Sequence, residues 1–494
     1  MMHLFINAAR KYDQISRNIY GHFSEHLGNG IYQGIYVGED SQIPNVRGIR
    51  TDVAEALRNI KVPVLRWPGG CFAEYYNWRD GIGLKGGRSC IVNSTWGGVV
   101  EDNSFGTHEF MDLCQQIGCE PYIACNVGTG SPREANEWVE YITSPGKSPM
   151  ADLRRKNGLA EPWNLTYLGI GNENWAFMRA EYYADAYRQF ASFIRSYNGR
   201  KLYKIACGAS GSDYAWTDTL MRMAGDQMDG LSLHYYTMPK YYATEEYPWE
   251  EKGPALGIDA GNYYRTLRRA LYMDELIKRH KCVMDRYDPK KRVAIVVDEW
   301  GTWHLPEEGT NPSFLFQQNT MRDAIAAAVT LNIFNSHCDR VRMANLAQMV
   351  NVLQSVILTN GHQIVLTPTY HVFDLYKGHQ DATLIESYVQ QDLAGTQEAQ
   401  VPAMHVSASE NQEGKVHVTL VNLSADKPQK VRCGLSGSDF TSAAVRYISG
   451  DLNSHNEFGK KAQVSIRTVP EIPVSDGGFH MDVPACCVME IVLT

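Results

Sequence analysis

The chain has 494 residues, of which 44% are hydrophobic and 21% are charged, and its formal net charge is −8. This composition is typical of a globular protein with two or three domains. The excess of acidic residues disfavours binding to nucleic acid or to an anionic membrane surface, so we predict no nucleic-acid partner and no membrane partner.

The cysteines and the N-terminus bear on the cellular compartment. The 11 cysteines are irregularly spaced and include no C-x-x-C pair, which favours free thiols in a reducing compartment over disulfides or a zinc cluster. The first residues, "MMHLFINAARKYDQ", lack the basic region and long apolar run of a signal peptide, and no stretch reaches the ~20 apolar residues of a membrane helix. We therefore expect a cytoplasmic protein, although the sequence leaves open export after removal of a leader.

The stretch "YGHFSEHLGNG" (20–30) contains the H-x-x-E-H pattern of a class of zinc peptidases. Two histidines four residues apart share a metal ion when a helix places them on one face. Gly21 and the turn Gly28-Asn29-Gly30 disfavour a helix here. On a strand, His22 and His26 would lie about 13 Å apart. A strand that ends in a polar loop is therefore the preferred interpretation, with a zinc peptidase as the minor alternative.

Eight short apolar or β-branched runs follow one another along the chain, and nearly all are followed by a helical pattern. They are "IYGHFSEH" (19–26), "VPVLRWPGG" (62–70), "EPYIACNVG" (120–128), "YLGIGNEN" (167–174), "LYKIACGAS" (202–210), "DGLSLHYY" (229–236), "RVAIVVDEW" (292–300) and "RVRMANLAQ" (340–348). Between them apolar residues recur at helical spacing, for example at Val53, Ala56, Leu57 and Ile60.

This alternation predicts an α/β fold, a (β/α)8 TIM barrel over residues 16–380, because apolar strands alternating with amphipathic helices indicate a parallel sheet covered by helices. A doubly wound sheet is the alternative, but the first strand is not followed by a G-x-G-x-x-G loop.

The pattern changes near residue 380. Runs such as "KVHVTLVNLS" (415–424) and "VPACCVMEIVLT" (483–494) alternate with period two and are separated by polar turns. They predict a C-terminal antiparallel β-sandwich, jelly-roll-like, over residues 381–494. Residues 1–15 contain the strand-like run "MHLFINA", which precedes the barrel and is predicted to pair with this sandwich.

Polar residues gather at the predicted C-terminal ends of the barrel strands, where barrel enzymes carry their active sites. They are Glu25, His26, Arg66, Asn126, Asn172, Glu173, Asn174, His234, Tyr235, Tyr236, Asp298, Glu299, Trp300, Asn345 and Gln348. Glu173 and Glu299 end the fourth and seventh strands, which face each other across a barrel mouth. Two acids there suit glycosidic cleavage, which needs one protonated and one ionised carboxyl group. The alternative for each acid is an ion pair with a barrel arginine such as Arg66.

Several motifs carry a family resemblance. "GNEN" (171–174) and "DEW" (298–300) resemble the acid/base and nucleophile motifs of barrel glycosidases. Longer stretches resemble the α-L-arabinofuranosidases of glycoside hydrolase family 51: "IYGHFSEHLGNGIYQGIYVG", "LRWPGGCFAEYYNWRDGIG", "GTHEFMDLC" and "ANLAQMVNVLQ". The likeness runs from about residue 16 to 380, and the C-terminal sandwich also fits this family.

The resemblance implies a retaining mechanism in which Glu299 is the nucleophile and Glu173 is the acid/base. It also implies that Asn172 binds the 2-hydroxyl of the sugar, that Glu25 binds other sugar hydroxyls, and that Tyr236 orients the nucleophile. The other residues expected to line the substrate site are Arg66, Cys71, Trp96, Asn126, His234 and Gln348.

Two parts of the pocket differ from the best-known pattern or lie at its rim. Position 71 is Cys, where some members of the family carry Asn. Trp96, in the loop 93–106, is expected to form an aromatic wall, and Trp303 and the tyrosine-rich segment 235–247 are expected to shape the same rim.

The leading hypothesis is an exo-acting α-L-arabinofuranosidase that releases terminal arabinose from arabinoxylan or arabinan oligosaccharides. The resemblance implies no cofactor and no metal ion, and it implies a homo-oligomer such as a hexamer. The alternatives are an endo-β-glucanase or β-xylosidase of the same fold and, from another class, a non-catalytic carbohydrate-binding protein.

Overall fold

The computed structural model describes residues 1–239, 252–390 and 392–494. Within these ranges, eight strands form a closed barrel and nine strands form a second large sheet. Among the helices of these ranges, none is both long and apolar enough to cross a bilayer.

The eight predicted barrel strands are confirmed, because each observed strand overlaps its predicted run. In chain order they are Gly21–Phe23, Val64–Trp67, Glu120–Cys125, Tyr167–Ile170, Tyr203–Ser210, Gly230–Thr237, Ala294–Thr302 and Val341–Leu346. Neighbouring strands pair in parallel, and the first strand pairs with both the second and the eighth. The barrel is therefore closed, and the doubly wound alternative is wrong.

The helices around the barrel have their apolar faces turned inward, as their spacing predicts. Those in the described residues are Thr51–Asn59, Thr107–Ile117, Pro132–Thr143, Pro149–Lys156, Ala180–Phe193, Tyr214–Ala224, Ala260–Asp285, Met321–Ser336 and Pro368–Tyr376. Val53 and Leu57 of the first helix are fully buried, whereas Glu55 between them is exposed.

The N-terminal strand Met2–Gln14 joins the second large sheet, as predicted from "MHLFINA". It pairs antiparallel with Thr383–Val389 and parallel with Gln429–Ser436, so the sheet is mixed at this one strand and not antiparallel throughout. The parallel pair is possible because the strands are joined through the whole barrel, which supplies the long connection that a parallel pair requires.

The second sheet curls so that strands from both ends of its order share one core. The order across the sheet is Arg467–Pro473, Ser442–Ser449, Cys487–Leu493, Val416–Asn422, Met404–Glu410, Thr383–Val389, Met2–Gln14, Gln429–Ser436 and Gly478–Val483. Val445 near one end and Met481 at the other belong to the same apolar cluster. This shared core is what the predicted sandwich requires.

The helix Met321–Ser336 lies between the barrel and the second sheet and is buried on all sides. Thr320 caps its N-terminus together with Asp323 in a capping box. On its far end, the Nδ2 of Asn335 donates to the hydroxyl of Ser407 in the sheet at 3.2 Å. This helix therefore joins the sheet to the outside of the barrel.

Candidate active site

Glu173 and Glu299 lie close together at the C-terminal end of the barrel. Glu173 follows the fourth strand with φ of 47°, in the left-handed region, and Glu299 lies within the seventh strand. One carboxylate oxygen of each lies within 4.8 Å of the other. Two carboxyl groups at about 5–5.5 Å are typical of retaining glycosidases, whereas inverting enzymes need about 6.5–9.5 Å to admit a water molecule.

Glu299 is held by a cation on one oxygen and a hydroxyl on the other. Nη1 of Arg66 donates to Oε1 at 2.8 Å, and the Tyr236 hydroxyl donates to Oε2 at 2.8 Å. Arg66 and Glu299 are both buried. Charge-assisted hydrogen bonds of this kind hold a carboxylate in one orientation, so the Glu299 side chain is fixed in the pocket.

Arg66 also fixes Asn172. Its Nη2 donates to Oδ1 of Asn172 at 2.6 Å, which fixes the orientation of the amide. Nδ2 of Asn172 is buried and has no hydrogen-bond partner among the residues that the structure describes. A buried donor without a partner is costly in a finished core, so its position beside Glu299 suits a ligand hydroxyl.

Glu173 is the more open of the two acids. Its side chain is 21% exposed, against 7% for Glu299. Nδ1 of His234 lies 2.9 Å from Oε1, and the Cys71 thiol donates weakly to Oε2 at 3.8 Å. An acid/base group must reach both a leaving group and a water molecule, and the exposure of Glu173 meets that need.

His234 lies between the two acids and a third carboxylate, Asp298. Its Nε2 is 3.1 Å from Oδ1 of Asp298, and its Nδ1 is 3.5 Å from Oε2 of Glu299. Burial alone would lower the pKa of His234, but the carboxylates of Glu299, Asp298 and Glu173 raise it to about 10. The ring is therefore an imidazolium at neutral pH and donates from both nitrogens.

Glu25 is bound by four donors at the wall of the site. Its Oε1 accepts from the backbone N–H groups of Gly70 and Phe72 and from the indole of Trp96, each at 3.0 Å. Its Oε2 accepts from Nε2 of Gln348 at 3.0 Å. Burial, with the negative charge of Glu299, raises the pKa of Glu25 from 4.5 to about 7. The structure thus joins three predicted site residues, Glu25, Trp96 and Gln348, in one hydrogen-bonded cluster.

The two histidines of the H-x-x-E-H pattern pack against different aromatic side chains. His22 lies on the first strand with its ring centroid 4.5 Å from that of Phe373, and His26 stacks on Phe72 at 4.8 Å. Burial lowers the pKa of His22 to about 3, so its ring is neutral. The strand interpretation is confirmed, and these side chains serve as core aromatics.

Trp96 reaches Glu25 from a short β-hairpin formed by Ile91–Asn93 and Val99–Glu101. Nδ2 of Asn93 donates to the His26 backbone oxygen at 2.6 Å, which ties the hairpin to the first barrel strand's loop. Trp96, Tyr236 and Trp303 pack on one apolar cluster, and the Tyr236 and Trp303 rings lie 4.9 Å apart. Of the predicted rim segment 235–247, residues 240–247 lie outside the described part of the chain.

Asn126 is the predicted site residue that the structure does not bring to the acids. Its Oδ1 accepts from the backbone N–H groups of Thr129 and Gly130, and its Nδ2 donates to the Thr129 hydroxyl and the Tyr76 backbone oxygen. It lines a separate small cavity of about 110 Å³. These bonds close the turn after the third strand, so turn formation explains this polar strand end.

Two carboxylates outside the predicted substrate-binding set hold other residues of the site. Asp298 is one of the polar strand-end residues but has no role assigned from the sequence, and its partners include His234 and Arg66. Glu74 accepts from the backbone N–H of Asn172 and of Gly128, each at 2.5 Å, and so fixes the loop that carries Glu173. Although Glu74 accepts these bonds, its burial raises its pKa to about 7. Glu74 lies within the family-like stretch "LRWPGGCFAEYYNWRDGIG", but it is in the 3-10 helix Cys71–Tyr75 and not at a strand end, so its position in the sequence does not single it out.

Within the described residues, one group of side chains has atoms close enough to ligate a metal ion: Glu173, His234 and Glu299. Each is already engaged, since Glu299 binds Arg66 and Tyr236 and the ring of His234 bridges Glu173 and Asp298. An imidazolium cannot ligate a cation. The arrangement fits a hydrogen-bonded acid pair better than a metal centre.

Two family models match most of the chain. Residues 56–253 match the model described as "Alpha-L-arabinofuranosidase 1 domain", and residues 298–487 match "Alpha-L-arabinofuranosidase C-terminal domain". The first model covers the strands that carry Arg66 and Glu173, and the second begins at Asp298. The two matches therefore include both acids.

Named relatives match over nearly the whole chain. The sequence is 46% identical to an intracellular exo-α-L-arabinofuranosidase of Bacteroides ovatus, over 99% of this chain and 95% of that protein. It is 31% identical to a probable α-L-arabinofuranosidase C of Aspergillus clavatus, over 93% and 92% of the two chains. The likeness thus extends through the barrel and the second sheet.

Solved structures of arabinofuranosidases also match this chain over its whole length. A GH51 arabinofuranosidase from Xanthomonas axonopodis pv. citri superposes with a TM-score of 0.96 at 44% identity, over 100% of both chains. An α-L-arabinofuranosidase from Thermotoga maritima, in an arabinose complex, superposes with a TM-score of 0.87 at 32% identity, over 100% of this chain and 99% of that one.

Proposed function

This chain belongs to the α-L-arabinofuranosidases of glycoside hydrolase family 51, and we propose that Glu299 is its nucleophile and Glu173 its general acid and base. Its activity is that of an exo-α-L-arabinofuranosidase, which acts on arabinose-containing substrates. The observation that carries the residue assignment is the short distance between the two acids, within 4.8 Å from oxygen to oxygen. That spacing favours direct attack by a carboxylate over attack by an interposed water molecule.

In the first step, a carboxylate oxygen of Glu299 bonds to the anomeric carbon while the bond from that carbon to the leaving oxygen breaks. Glu173 gives its proton to the leaving oxygen, so the aglycone departs as an alcohol. Arg66 and Tyr236 hold the Glu299 carboxylate during the attack. The product is an arabinofuranosyl ester of Glu299.

In the second step, the ionised Glu173 takes a proton from water, and the hydroxide oxygen bonds to the anomeric carbon. The ester bond breaks and its electrons return to Glu299 as a carboxylate. Arabinose leaves with its original anomeric configuration, because two inversions have taken place. The greater exposure of Glu173 supports this assignment, since water must reach it.

Sugar binding is assigned to the groups that border the acids. Nδ2 of Asn172, which has no partner within the described residues, suits the 2-hydroxyl, while Glu25 and Gln348 suit the hydroxyls farther from the bond that breaks. Trp96 supplies an aromatic wall and also orients Glu25 through its indole N–H. Aromatic faces beside carboxylates and amides are well suited to sugar rings. Cys71 borders Glu173 and is assigned to the same pocket.

The proposed substrates are arabinoxylan and arabinan oligosaccharides with terminal α-L-arabinofuranosyl groups. The intracellular assignment of the Bacteroides relative favours short oligosaccharides inside the cell over intact polysaccharide outside it. Cell fractionation with an antibody against the chain tests the compartment, and recovery in the culture medium would contradict it.

The experiment that tests the function is a hydrolysis panel with nitrophenyl α-L-arabinofuranoside, β-xyloside, β-glucoside and carboxymethylcellulose. Rapid turnover of the arabinofuranoside alone is expected. Turnover of the xyloside or the cellulose derivative would instead favour the β-xylosidase or endo-β-glucanase alternative. Binding of arabino-oligosaccharides without turnover would favour a non-catalytic carbohydrate-binding protein.

Azide separates the two acid roles. With an activated aryl arabinofuranoside, Glu173→Ala with azide should give the arabinofuranosyl azide of retained configuration, because the ester on Glu299 still forms. Glu299→Ala with azide should give the inverted azide, because azide replaces the carboxylate directly. The opposite stereochemistry in the two variants would reverse the assignment.

We also propose a homo-oligomer, for which the surface of the second sheet offers an interface. Phe5 and Tyr388 are opposite each other on neighbouring strands and are 41% and 58% exposed. Paired exposed aromatics of this kind are typical of surfaces that bind another chain. Light scattering should give a multiple of the 55.6 kDa chain mass, and Tyr388→Lys should lower it.

A further inference from the structure

A buried aspartate contacts the groups that hold the two proposed catalytic acids. Asp298 has a side chain that is 3% exposed. Its Oδ1 accepts from Nε2 of His234 at 3.1 Å, and its Oδ2 accepts from the Tyr122 hydroxyl at 2.6 Å. Nε of Arg66 is 3.6 Å from Oδ2. Within the described part of the chain, the partners of this carboxylate are the buried side chains of His234, Tyr122 and Arg66, so we assign it no contact with the sugar.

An irregularity in the seventh strand brings Asp298 and Glu299 to the same groups. Side chains alternate along a regular strand, so neighbours normally point to opposite faces. Here three residues of the sixth strand, from Ser232 to His234, span four residues of the seventh, from Val296 to Glu299. The extra residue is a β-bulge, and bulges re-aim side chains next to active sites. As a result both acids contact Arg66.

We propose that Asp298 is a positioning residue that holds the His234 ring so that Nδ1–H points at the acid/base Glu173, and holds Arg66 so that Nη1 points at the nucleophile Glu299. This inference rests on the proposed roles of Glu173 and Glu299. It gives the buried aspartate a task in the reaction, although it never touches the substrate.

The consequence for catalysis concerns the moment at which Glu173 loses its proton. The new carboxylate then accepts a hydrogen bond from an imidazolium that already lies 2.9 Å away. A preoriented charged donor stabilises charge that develops in the transition state without having to reorganise. If His234 were neutral with its proton held on Nε2 by Asp298, the Nδ1 lone pair would face Glu173 and oppose this charge.

The charge of His234 depends on the groups around it. Burial alone would lower its pKa, and the surrounding carboxylates raise it to about 10. The titratable and charged groups that face the ring or its aspartate are Glu173, Glu299, Asp298, Tyr236, Arg66, Tyr122 and Cys207. Replacing Asp298 by Asn removes one negative charge but keeps the shape and an acceptor oxygen. A change in the His234 pKa in this variant therefore measures the effect of the Asp298 charge.

Asp323 offers a matched control. Like Asp298 it is buried, contacts a histidine nitrogen (Nε2 of His304, at 2.9 Å) and contacts an arginine, Arg322. It lies at the start of the helix Met321–Ser336 and contacts neither Glu173 nor Glu299 in the described hydrogen bonds. Asp323→Asn therefore removes the negative charge from a similar buried ion pair outside the acid cluster.

The test compares wild type, Asp298→Asn and Asp323→Asn by kinetics over a range of pH. At high pH, loss of the His234 proton should lower kcat/KM. We expect this basic limb of the pH profile to move at least one pH unit toward acid in Asp298→Asn and to stay in place in Asp323→Asn. At neutral pH, kcat/KM on a phenyl arabinofuranoside, whose leaving group needs a proton, should fall at least tenfold, within the range of general acid catalysis. On a dinitrophenyl arabinofuranoside, whose leaving group needs no proton, kcat/KM should fall less.

A second readout does not depend on activity. In protein labelled with ¹⁵N-histidine, the His234 nitrogens should titrate at least one pH unit lower in Asp298→Asn than in wild type. Unchanged titration and an unchanged basic limb would overturn the inference, as would an equal movement in Asp323→Asn. If Asp298→Asn does not fold, Tyr122→Phe replaces it. Loss of the hydroxyl that donates to Oδ2 of Asp298 leaves the carboxylate charge to its remaining partners, so the His234 nitrogens should titrate at higher pH than in wild type, and an unchanged titration would overturn the inference. Failure of wild type to hydrolyse arabinofuranosides would contradict the proposed function, while the His234 titration would still decide this inference.

Discussion

The backbone of Gly70 lies directly against the carboxylate of Glu299. A Cβ atom built on Gly70 would stand 2.6 Å from Oε1 of Glu299, closer than real Cβ atoms approach an oxygen. Oε1 is the atom that accepts from Arg66 at 2.8 Å, so it is not free to move away. The absence of a side chain at position 70 is therefore a condition for the nucleophile's position.

Gly70→Ala should lower kcat/KM on nitrophenyl α-L-arabinofuranoside by at least tenfold, because the added methyl group must displace Glu299 from Arg66. Forced repacking of this kind costs about 1–3 kcal/mol, and 1.36 kcal/mol is a tenfold change in rate. Steady-state kinetics measures the effect. Gly87→Ala is the control, since a Cβ there meets nothing within 4 Å. Equal activities of the two variants would contradict the prediction.

Tyr236→Phe should lower kcat/KM about ten- to a hundredfold. The change removes the hydroxyl that donates to Oε2 of Glu299 at 2.8 Å, and hydrogen bonds to charged groups are worth about 1.5–3 kcal/mol. Tyr235→Phe is the matched control, because the neighbouring hydroxyl donates instead to the Arg269 backbone oxygen at 3.0 Å. A Tyr236→Phe variant as active as Tyr235→Phe would show that the hydroxyl does not orient the nucleophile.

Much of the fold and most of the site could be predicted because, in a barrel, the position of a residue along its strand determines the end of the barrel at which it lies. Once eight strands alternate with helices, the residues after each strand must meet at one end. That rule brought Glu25, Arg66, Glu173, Glu299 and Gln348 together without knowledge of their contacts. It says nothing about which polar strand end faces the centre.

Asn126 and Asp298 show where the rule fails. Asn126 ends a strand as the others do, but its amide closes a local turn with Thr129 and Gly130. In the sequence, an asparagine that closes a turn cannot be told from one that binds a ligand. Asp298 contacts the same groups as Glu299 only because of a β-bulge. A bulge depends on register between strands, which the sequence of one strand does not contain.

Cys71 should react slowly with iodoacetamide despite lying beside the pocket. Its burial and the negative charges of Glu173, Glu25 and Glu299 raise its pKa well above the ordinary value for a thiol, and the thiolate is the reactive form. Mass spectrometry of a time course should show Cys90 and Cys282, which are exposed, modified first. Arabinose should slow modification of Cys71 further and leave the other two unchanged. Modification of Cys71 as fast as Cys90 would contradict this.

Glu25→Gln should change how thermal stability depends on pH. The pKa of Glu25 in the folded protein is about 7, above its ordinary value of 4.5, because burial and the charge of Glu299 disfavour ionisation. The folded state therefore holds this proton more tightly than the unfolded state. The stability that the protonated group contributes is fully present below pH 4.5 and is lost as pH rises through 7.

Relative to wild type, the Glu25→Gln variant should therefore gain stability as pH rises from 4.5 to 8, by up to the order of 3 kcal/mol. Glutamine stays neutral over this range and retains an oxygen for the Gly70, Phe72 and Trp96 donors that bind Oε1. Melting temperatures of the two proteins at pH 4.5, 6 and 8 measure the effect. Asp323→Asn is the control, because its carboxylate has a pKa held far below this range. A difference in melting temperature between Glu25→Gln and wild type that is constant with pH would mean that Glu25 does not titrate in the folded protein between these values.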